Sequence, residues 1–73
     1  MHFPETYTPA TLTRELTFKH QSGARSRAKT LFKGSQIRVR YNANEGRFDA
    51  TATLDGQPMV KQDINVNAFE FNA

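Results

Sequence analysis

The chain has 73 residues, no cysteine, and a formal charge of +3 from ten Lys or Arg and seven Asp or Glu. A chain of this length forms one small domain with one core, and without cysteine it has neither disulfides nor thiolate metal sites. It contains no apolar run near the roughly 18 residues of a membrane span, and its opening MHFPETYTPA is unlike a signal peptide. We therefore expect a basic cytoplasmic domain that makes no membrane contact.

Positive charge is concentrated in the first half of the chain. Residues 11–40 hold eight Lys or Arg and a single acidic residue, Glu15, which gives a net +7. Residues 41–73 hold two basic and five acidic residues, which gives a net −3. Nucleic-acid binding is the first function that such an asymmetry suggests.

The first 20 residues divide into two parts. Residues 1–10 contain Pro4 and Pro9 and no hydrophobic period, which predicts a flexible N-terminal arm. In residues 11–20 apolar side chains recur at alternate positions, with Arg14 as an interruption, and this alternation predicts a first strand. The apolar side of that strand is formed by Leu12, Leu16 and Phe18.

The stretch SGARSRAKTLFKG, residues 22–34, predicts a helix of about ten residues. Ser22 is a suitable N-cap and Gly34 a suitable C-terminal stop. Residues at i, i+4, i+7 and i+8 then form a buried stripe of Ala24, Ala28, Leu31 and Phe32. Beside that stripe, the helical spacing predicts a basic ridge of Arg25, Lys29 and Lys33.

Three further strands are predicted after the helix. The stretches SQIRVRYN and RFDATATL alternate apolar and polar residues, and the four-residue loop ANEG joins them as a hairpin. This loop length pairs Tyr41 with Phe48 on the core face. On the outer face it pairs Arg40 with Asp49. After the turn DGQP, parity favours an odd-numbered loop and a last strand from about residue 59 to 66, with inward positions at Val60, Ile64 and Val66.

The predicted fold is therefore α+β. A single helix packs on a small, mainly antiparallel four-stranded sheet, in the order strand, helix, strand, strand, strand. The domain covers residues 11–66, between the flexible N-terminal arm at 1–10 and a C-terminal tail at 67–73. We expect this domain to be a monomer.

Catalysis and metal binding are poorly supported by the sequence. The two histidines, His2 and His20, have no carboxylate, Ser or Cys partner at a suggestive spacing. The chain also has no glycine-rich phosphate loop of the usual form. We therefore predict that the protein is not an enzyme and uses no cofactor and no metal ion.

The aromatic residues suggest a protein partner. The predicted outer face of the sheet is rich in Thr and Arg but carries no aromatic side chain, so it offers no platform on which bases could stack. Aromatic residues occur instead in the terminal segments, at Phe3, Tyr7, Phe69 and Phe71. Such residues either pack back onto the sheet edge or serve as anchors in a protein interface.

The whole chain, and above all its opening MHFPETYTPATLTRELTF, resembles the small transcription regulators encoded by lytic Xanthomonas phages. The resemblance is one of length, basic character and this opening stretch. It implies a protein of the host bacterial cytoplasm that binds RNA polymerase through the β′ and β subunits, near the RNA exit channel. Such a regulator blocks initiation by displacing the sigma factor, and it promotes antitermination during elongation.

Partner contacts are predicted from charge and position. A basic face raises the rate of encounter with an acidic protein surface, and an aromatic arm suits insertion between two subunits. The predicted contacts of the arm are His2, Phe3 and Tyr7. The predicted electrostatic contacts are Arg25, Lys29, Lys33, Arg38 and Arg40.

Two other functions stay open. One is inhibition of a host defence complex, in the manner of an anti-CRISPR protein that occupies a surface for nucleic acid. The other is binding of double-stranded nucleic acid along the ridge of the predicted helix. A weak nucleic-acid contact is also compatible with polymerase binding.

Overall fold

Seven antiparallel strands make up one sheet in the computed structural model, which describes residues 2–20 and 28–72. Across the sheet the strands follow the order β3-β2-β6-β5-β4-β1-β7. A single 3₁₀ turn at Val66–Ala68 is the one helical element in those residues. In chain order the strands are β1 (Thr8–Leu12), β2 (Leu16–His20), β3 (Ala28–Leu31), β4 (Gln36–Asn42), β5 (Arg47–Leu54), β6 (Gln57–Ile64) and β7 (Phe69–Phe71).

The prediction of an α+β fold with one helix on a four-stranded sheet is wrong. The second half of the predicted helix forms β3, in which Leu31 lies opposite Leu16 and Thr30 opposite Thr17. A helix of about ten residues is marginal on propensity alone and needs a buried stripe, yet Phe32 of the predicted stripe is 65% exposed. As strand β3, residues 28–31 instead pair with the edge of β2 and pack Leu31 against the core. Residues 21–27, which include the predicted contact Arg25, lie outside the described residues.

The single strand predicted over residues 11–20 is divided in two. The chain turns at Thr13, where two hydrogen bonds hold it. The Thr13 N–H donates to the carbonyl of Ala68, and its hydroxyl donates to the carbonyl of Asn67. The flexible arm of the predicted fold is corrected as well, because residues 8–10 belong to β1 and pair with β4. Three residues of the predicted tail form β7, which pairs with β1.

The sheet is curled around its core. Only three residues separate β1 from β2, and they can span at most about 14 Å. In a flat sheet these strands would be four steps apart, which is about 19 Å. The strands must therefore bend toward one another, and the inner face encloses the core. The largest fully buried apolar side chains of that core are Phe18, Leu12 and Val39.

The hairpin between β4 and β5 confirms the predicted register. Tyr41 lies opposite Phe48 and Arg40 opposite Asp49, across the four-residue loop 43–46. Gly46 has a φ of +66°, a conformation that favours glycine. The local alternation and the turn residues were sufficient to place this hairpin.

The turn between β5 and β6 differs from the predicted odd-numbered loop. Asp55 and Gly56 form a two-residue turn, and both have positive φ, as tight hairpin turns of this kind require. Met59 is consequently buried. A bulge between the pairs at Ala50 and Phe48 then shifts the phase of β6, so that Ile64 also faces the core. Val66, which was predicted to point inward, is 52% exposed.

Candidate functional site

The outer face of β4 and β5 carries two of the predicted cationic contacts. Along β4 the buried side chains Ile37 and Val39 alternate with Arg38 and Arg40, which point away from the core. Arg38 lies opposite Thr51 on the neighbouring strand. We refer to this surface, made by the outward residues of β4 and β5, as the outer face.

A buried carboxylate lies beneath the arginines of the outer face. Asp49 is only 2% exposed although it belongs to the outward positions of β5. Its Oδ1 accepts from the Arg47 Nε at 3.0 Å, and its Oδ2 lies 3.6 Å from the Arg40 Nη2. The Asn42 side-chain amide donates to the same Oδ2 at 3.4 Å. Charge-assisted hydrogen bonds from several donors offset the free-energy cost of burying a carboxylate.

The bulge in β6 supplies a further donor to Asp49. The backbone N–H of Asp63 points at the Asp49 Oδ1 at 3.3 Å. Asp63 has a φ of +57°, which is uncommon for a residue other than glycine and accompanies the extra residue of the bulge. The irregular backbone and the buried carboxylate thus support each other.

An aromatic ring covers one of these arginines. The guanidinium carbon of Arg40 lies 5.0 Å from the centroid of the Tyr7 ring, within the range of a cation–π contact. The Arg40 Nε is buried and has no hydrogen-bond partner among the described residues. Tyr7 itself remains 36% exposed. The guanidinium is thereby held in place from the side of Asp49 and from the side of Tyr7.

Arg38 is the available cation of the outer face. It is exposed, and within residues 2–20 and 28–72 its side chain makes no hydrogen bond or ion pair. A shallow hollow beside it is lined by Pro9, Gln36, Thr51 and Thr53, among other residues. Its charge is therefore accessible to a binding partner.

Of the N-terminal residues that were predicted to contact a partner, Phe3 and Tyr7 pack against the sheet. The Phe3 ring packs 4.9 Å from the Phe48 ring and 5.6 Å from the Tyr41 ring, measured between centroids. The carbonyl of Pro4 accepts a 2.7 Å hydrogen bond from the N–H of Tyr41. His2 is exposed. Of the two aromatic residues in this segment, Tyr7 presents more surface to solvent.

The basic ridge of the predicted helix does not exist in the described residues. Lys29 lies in β3 and forms an ion pair with Asp55 at 3.3 Å, with both side chains largely exposed. Lys33 is exposed in the connection between β3 and β4. These two lysines are thus separate from Arg38 and Arg40, which share one face of β4.

A polar network that the sequence did not predict borders the outer face on the side of β1 and β7. The Gln36 amide donates to the Thr11 hydroxyl at 2.9 Å, and that hydroxyl donates to the Asn72 Oδ1 at 2.7 Å. The Asn72 amide closes the ring by donating to the Gln36 Oε1 at 2.8 Å. The alternation of residues cannot reveal this network, because it depends on β7, β1 and β4 being neighbours.

The stack of Tyr7 on Arg40 was also missed. Each of the two residues is a predicted contact for its own reason, but no local pattern places an aromatic residue of the N-terminal segment over an arginine of β4. The ion pair of Arg40 with Asp49 was predicted and is confirmed. The contributions of Arg47, Asn42 and the Asp63 N–H were not foreseen.

Other site chemistries have no support in the described part of the chain. No group of three or more His, Cys, Asp or Glu residues there is arranged to hold a metal ion. None of its helical segments has the length and apolar character needed to traverse a bilayer. Comparison with known protein families, curated proteins and solved structures gives no match.

Proposed function

We propose that the chain is a phage-encoded transcription regulator that binds host bacterial RNA polymerase through the β′ and β subunits. By this proposal it inhibits initiation by displacing the sigma factor, and it promotes antitermination. RNA polymerase is proposed as the partner because the opening stretch of the chain resembles that of the phage regulators. The observation that carries a binding role is the outer face, where Arg38 is exposed without a partner among the described residues and Arg40 is stacked on Tyr7.

The outer face has the properties of a charged protein-binding surface. Its arginines are planar donors that suit carboxylates, and Tyr7 adds an amphipathic ring with two rotatable side-chain bonds. Arginine and tyrosine are both enriched among the residues that dominate binding energy. The buried Asp49 fixes Arg40 without presenting a competing negative charge to solvent.

The N-terminal segment contributes to this surface in a defined way. Phe3 and Pro4 hold the segment against β4 and β5, so that Tyr7 is delivered to Arg40. In the proposed complex Tyr7 and His2 contact the partner, while Phe3 positions the segment. A preorganised segment loses less conformational entropy on binding than a free arm would.

Of the other two functions, binding of double-stranded nucleic acid along a helical ridge has lost its structural basis. The ridge required Lys29 and Lys33 on one helix face, and Lys29 lies in a strand instead. Inhibition of a host defence complex remains an alternative that uses the same outer face. Identification of the proteins that co-purify with the tagged chain from host cells separates it from polymerase binding.

The direct test measures binding of the purified chain to bacterial core RNA polymerase, with Arg38→Glu and Lys19→Glu as a matched pair. Both residues are exposed and both substitutions change the charge by the same amount, but Lys19 lies in β2, three strands from β4 in the sheet, which is about 14 Å. We expect Arg38→Glu to weaken binding about tenfold or more, because it reverses a charge at the interface. Lys19→Glu should retain most of the affinity.

Two results would contradict the proposal. If the unmodified chain fails to bind polymerase at low salt, the proposed partner is wrong. If the two variants bind equally well, the outer face is not the contact surface. Displacement of the sigma factor by the unmodified chain, but not by Arg38→Glu at the same concentration, would link binding to the proposed activity.

A further inference from the structure

We infer that the outer face of β4 receives an extended acidic protein segment with carboxylates at alternate positions, one facing Arg38 and the other facing Arg40. The inference rests on the proposed function, because it names the kind of polymerase segment that the outer face would bind. It differs from a general attraction between opposite charges, because it predicts a spacing.

The spacing follows from the strand. Arg38 and Arg40 are two residues apart and point to the same side of β4. Their Cα atoms are therefore about 6.7 Å apart along the strand. An extended peptide with Glu at i and i+2 presents its carboxylates on one side at the same interval. A peptide with adjacent Glu residues presents them on opposite sides, so only one can face the arginines.

The two arginines contribute differently. Arg40 already has Asp49 on one side and Tyr7 against its guanidinium, so it is fixed in position but partly neutralised. Arg38 is exposed and lacks an ion-pair partner within the described ranges. We therefore assign the larger share of the attraction to Arg38 and a positioning contribution to Arg40.

The path of the segment is limited by a negative charge on the protein itself. Glu5 is exposed and lines a second hollow together with Arg40 and Asn44. It would repel a carboxylate that approached Arg40 from that side. The acidic segment is therefore expected to extend from Arg40 past Arg38, over the hollow beside Thr51 and Thr53.

The chemistry of this face favours a protein segment over a nucleic-acid strand. A single strand also carries charges at a similar interval, but its affinity depends on bases that stack on exposed rings. Among the residues that the structure describes, Tyr7 is the aromatic residue placed over the outer face, and its ring is in contact with Arg40. A carboxylate, in contrast, needs only the planar donor pair that an arginine provides.

The experiment titrates two peptides of identical composition, acetyl-TETET-amide and acetyl-TEETT-amide, into the isotopically labelled full chain at low salt. Amide chemical shifts report both affinity and location. We expect TETET to bind about threefold more tightly, which is the effect of one additional exposed ion pair. The largest shifts should fall on β4 at Arg38 and Arg40.

The variants Arg38→Gln and Lys19→Gln provide the matched control. Arg38→Gln should abolish the preference for TETET, whereas Lys19→Gln should leave the preference unchanged. Equal affinities of the two peptides for the unmodified chain would overturn the inference. Shifts confined to another surface, or tighter binding of a five-nucleotide thymidine strand than of TETET, would overturn it as well.

The outcome is separable from that of the proposed function. If polymerase binds the chain but TETET and TEETT bind alike, the alternating segment is wrong and polymerase binding stands. If TETET is preferred but polymerase does not bind, the face takes an alternating acidic segment from another protein, and the proposed partner is wrong.

Discussion

At the level of single residues, Asp49 is the side chain on which the outer face depends. It is nearly inaccessible to solvent, and it accepts hydrogen bonds from the Arg47 Nε and from the N–H of Asp63 while it also pairs with Arg40. Removing the charge leaves two guanidiniums without their counterion. The cost is smaller than for a fully buried pair, because both arginines reach water.

We predict that Asp49→Asn lowers the free energy of unfolding by about 1–3 kcal/mol, since an amide cannot serve all of these donors equally well. The matched control is Asp55→Asn, the same chemical change at a side chain that is 87% exposed. That control should change stability by less than about 0.5 kcal/mol. Urea denaturation followed by circular dichroism measures both. Equal effects of the two substitutions would mean that the Asp49 carboxylate is not structurally important.

Asp49 also shows how much of this site could be predicted from the sequence. The pairing of Asp49 with Arg40 follows from the length of the loop ANEG, and it is confirmed. The burial of Asp49 does not follow, because it requires the bulge in the neighbouring strand. The position of Tyr7 could not be predicted from the sequence either, since it depends on how the chain before β1 returns to β4.

At the level of elements, the bulge in β6 allows both Met59 and Ile64 to face the core. Met59 and Ile64 are an odd number of residues apart, so a regular strand would point them to opposite faces. Both are buried, because the extra residue near Asp63 shifts the phase. The positive φ of Asp63 is the conformational cost of that shift.

Substitution of Asp63 by valine tests this interpretation. A β-branched residue is strongly disfavoured in the left-handed region, so Asp63→Val should lower the free energy of unfolding by about 1–2 kcal/mol. Asp63→Gly should be nearly neutral or slightly stabilising. Gln62→Val serves as the control at the neighbouring exposed position, where φ is not positive. A loss at position 62 as large as that at 63 would show that backbone conformation is not the cause.

The elements also differ in how predictable they were. β4, β5 and the loop between them are set by alternation and by local turn residues, so the sequence determines them directly. The stretch that contains β3 has a helical apolar spacing, and among the described residues the strand conformation of β3 is supported by its pairing with β2. The split between β1 and β2 is likewise set from a distance, by the carbonyls of Ser35 and Ala68.

At the level of the whole molecule, residues near the two ends of the chain hold the curled sheet together. β1 lies between β4 and β7, and the rings of Phe3, Phe48, Phe69 and Phe71 form a continuous series of contacts. The sequence predicts a flexible N-terminal arm at residues 1–10 that contributes nothing to the sheet. The pairs of Thr8 with Val39 and Pro9 with Arg38 contradict that expectation.

We predict that deletion of residues 1–9 lowers the midpoint of thermal unfolding markedly, because it removes two residues of β1 and the Phe3 ring. Phe3→Ala alone should cost about 1–2 kcal/mol, as expected for a half-buried aromatic side chain. His2→Ala is the control, since His2 is exposed. Differential scanning calorimetry measures all three. An unchanged midpoint after the deletion would mean that the N-terminal segment contributes nothing to the sheet.

The position of β1 has a kinetic consequence. The hydrogen bond from Thr11 to Asn72 spans 61 positions of the chain, whereas β4, β5 and β6 meet through short turns. Nearby partners find each other first, and remote pairings carry a larger loop-closure entropy. We therefore expect the three-stranded meander of β4, β5 and β6 to form first, and the pairing of β1 with β7 to be the slow step of folding.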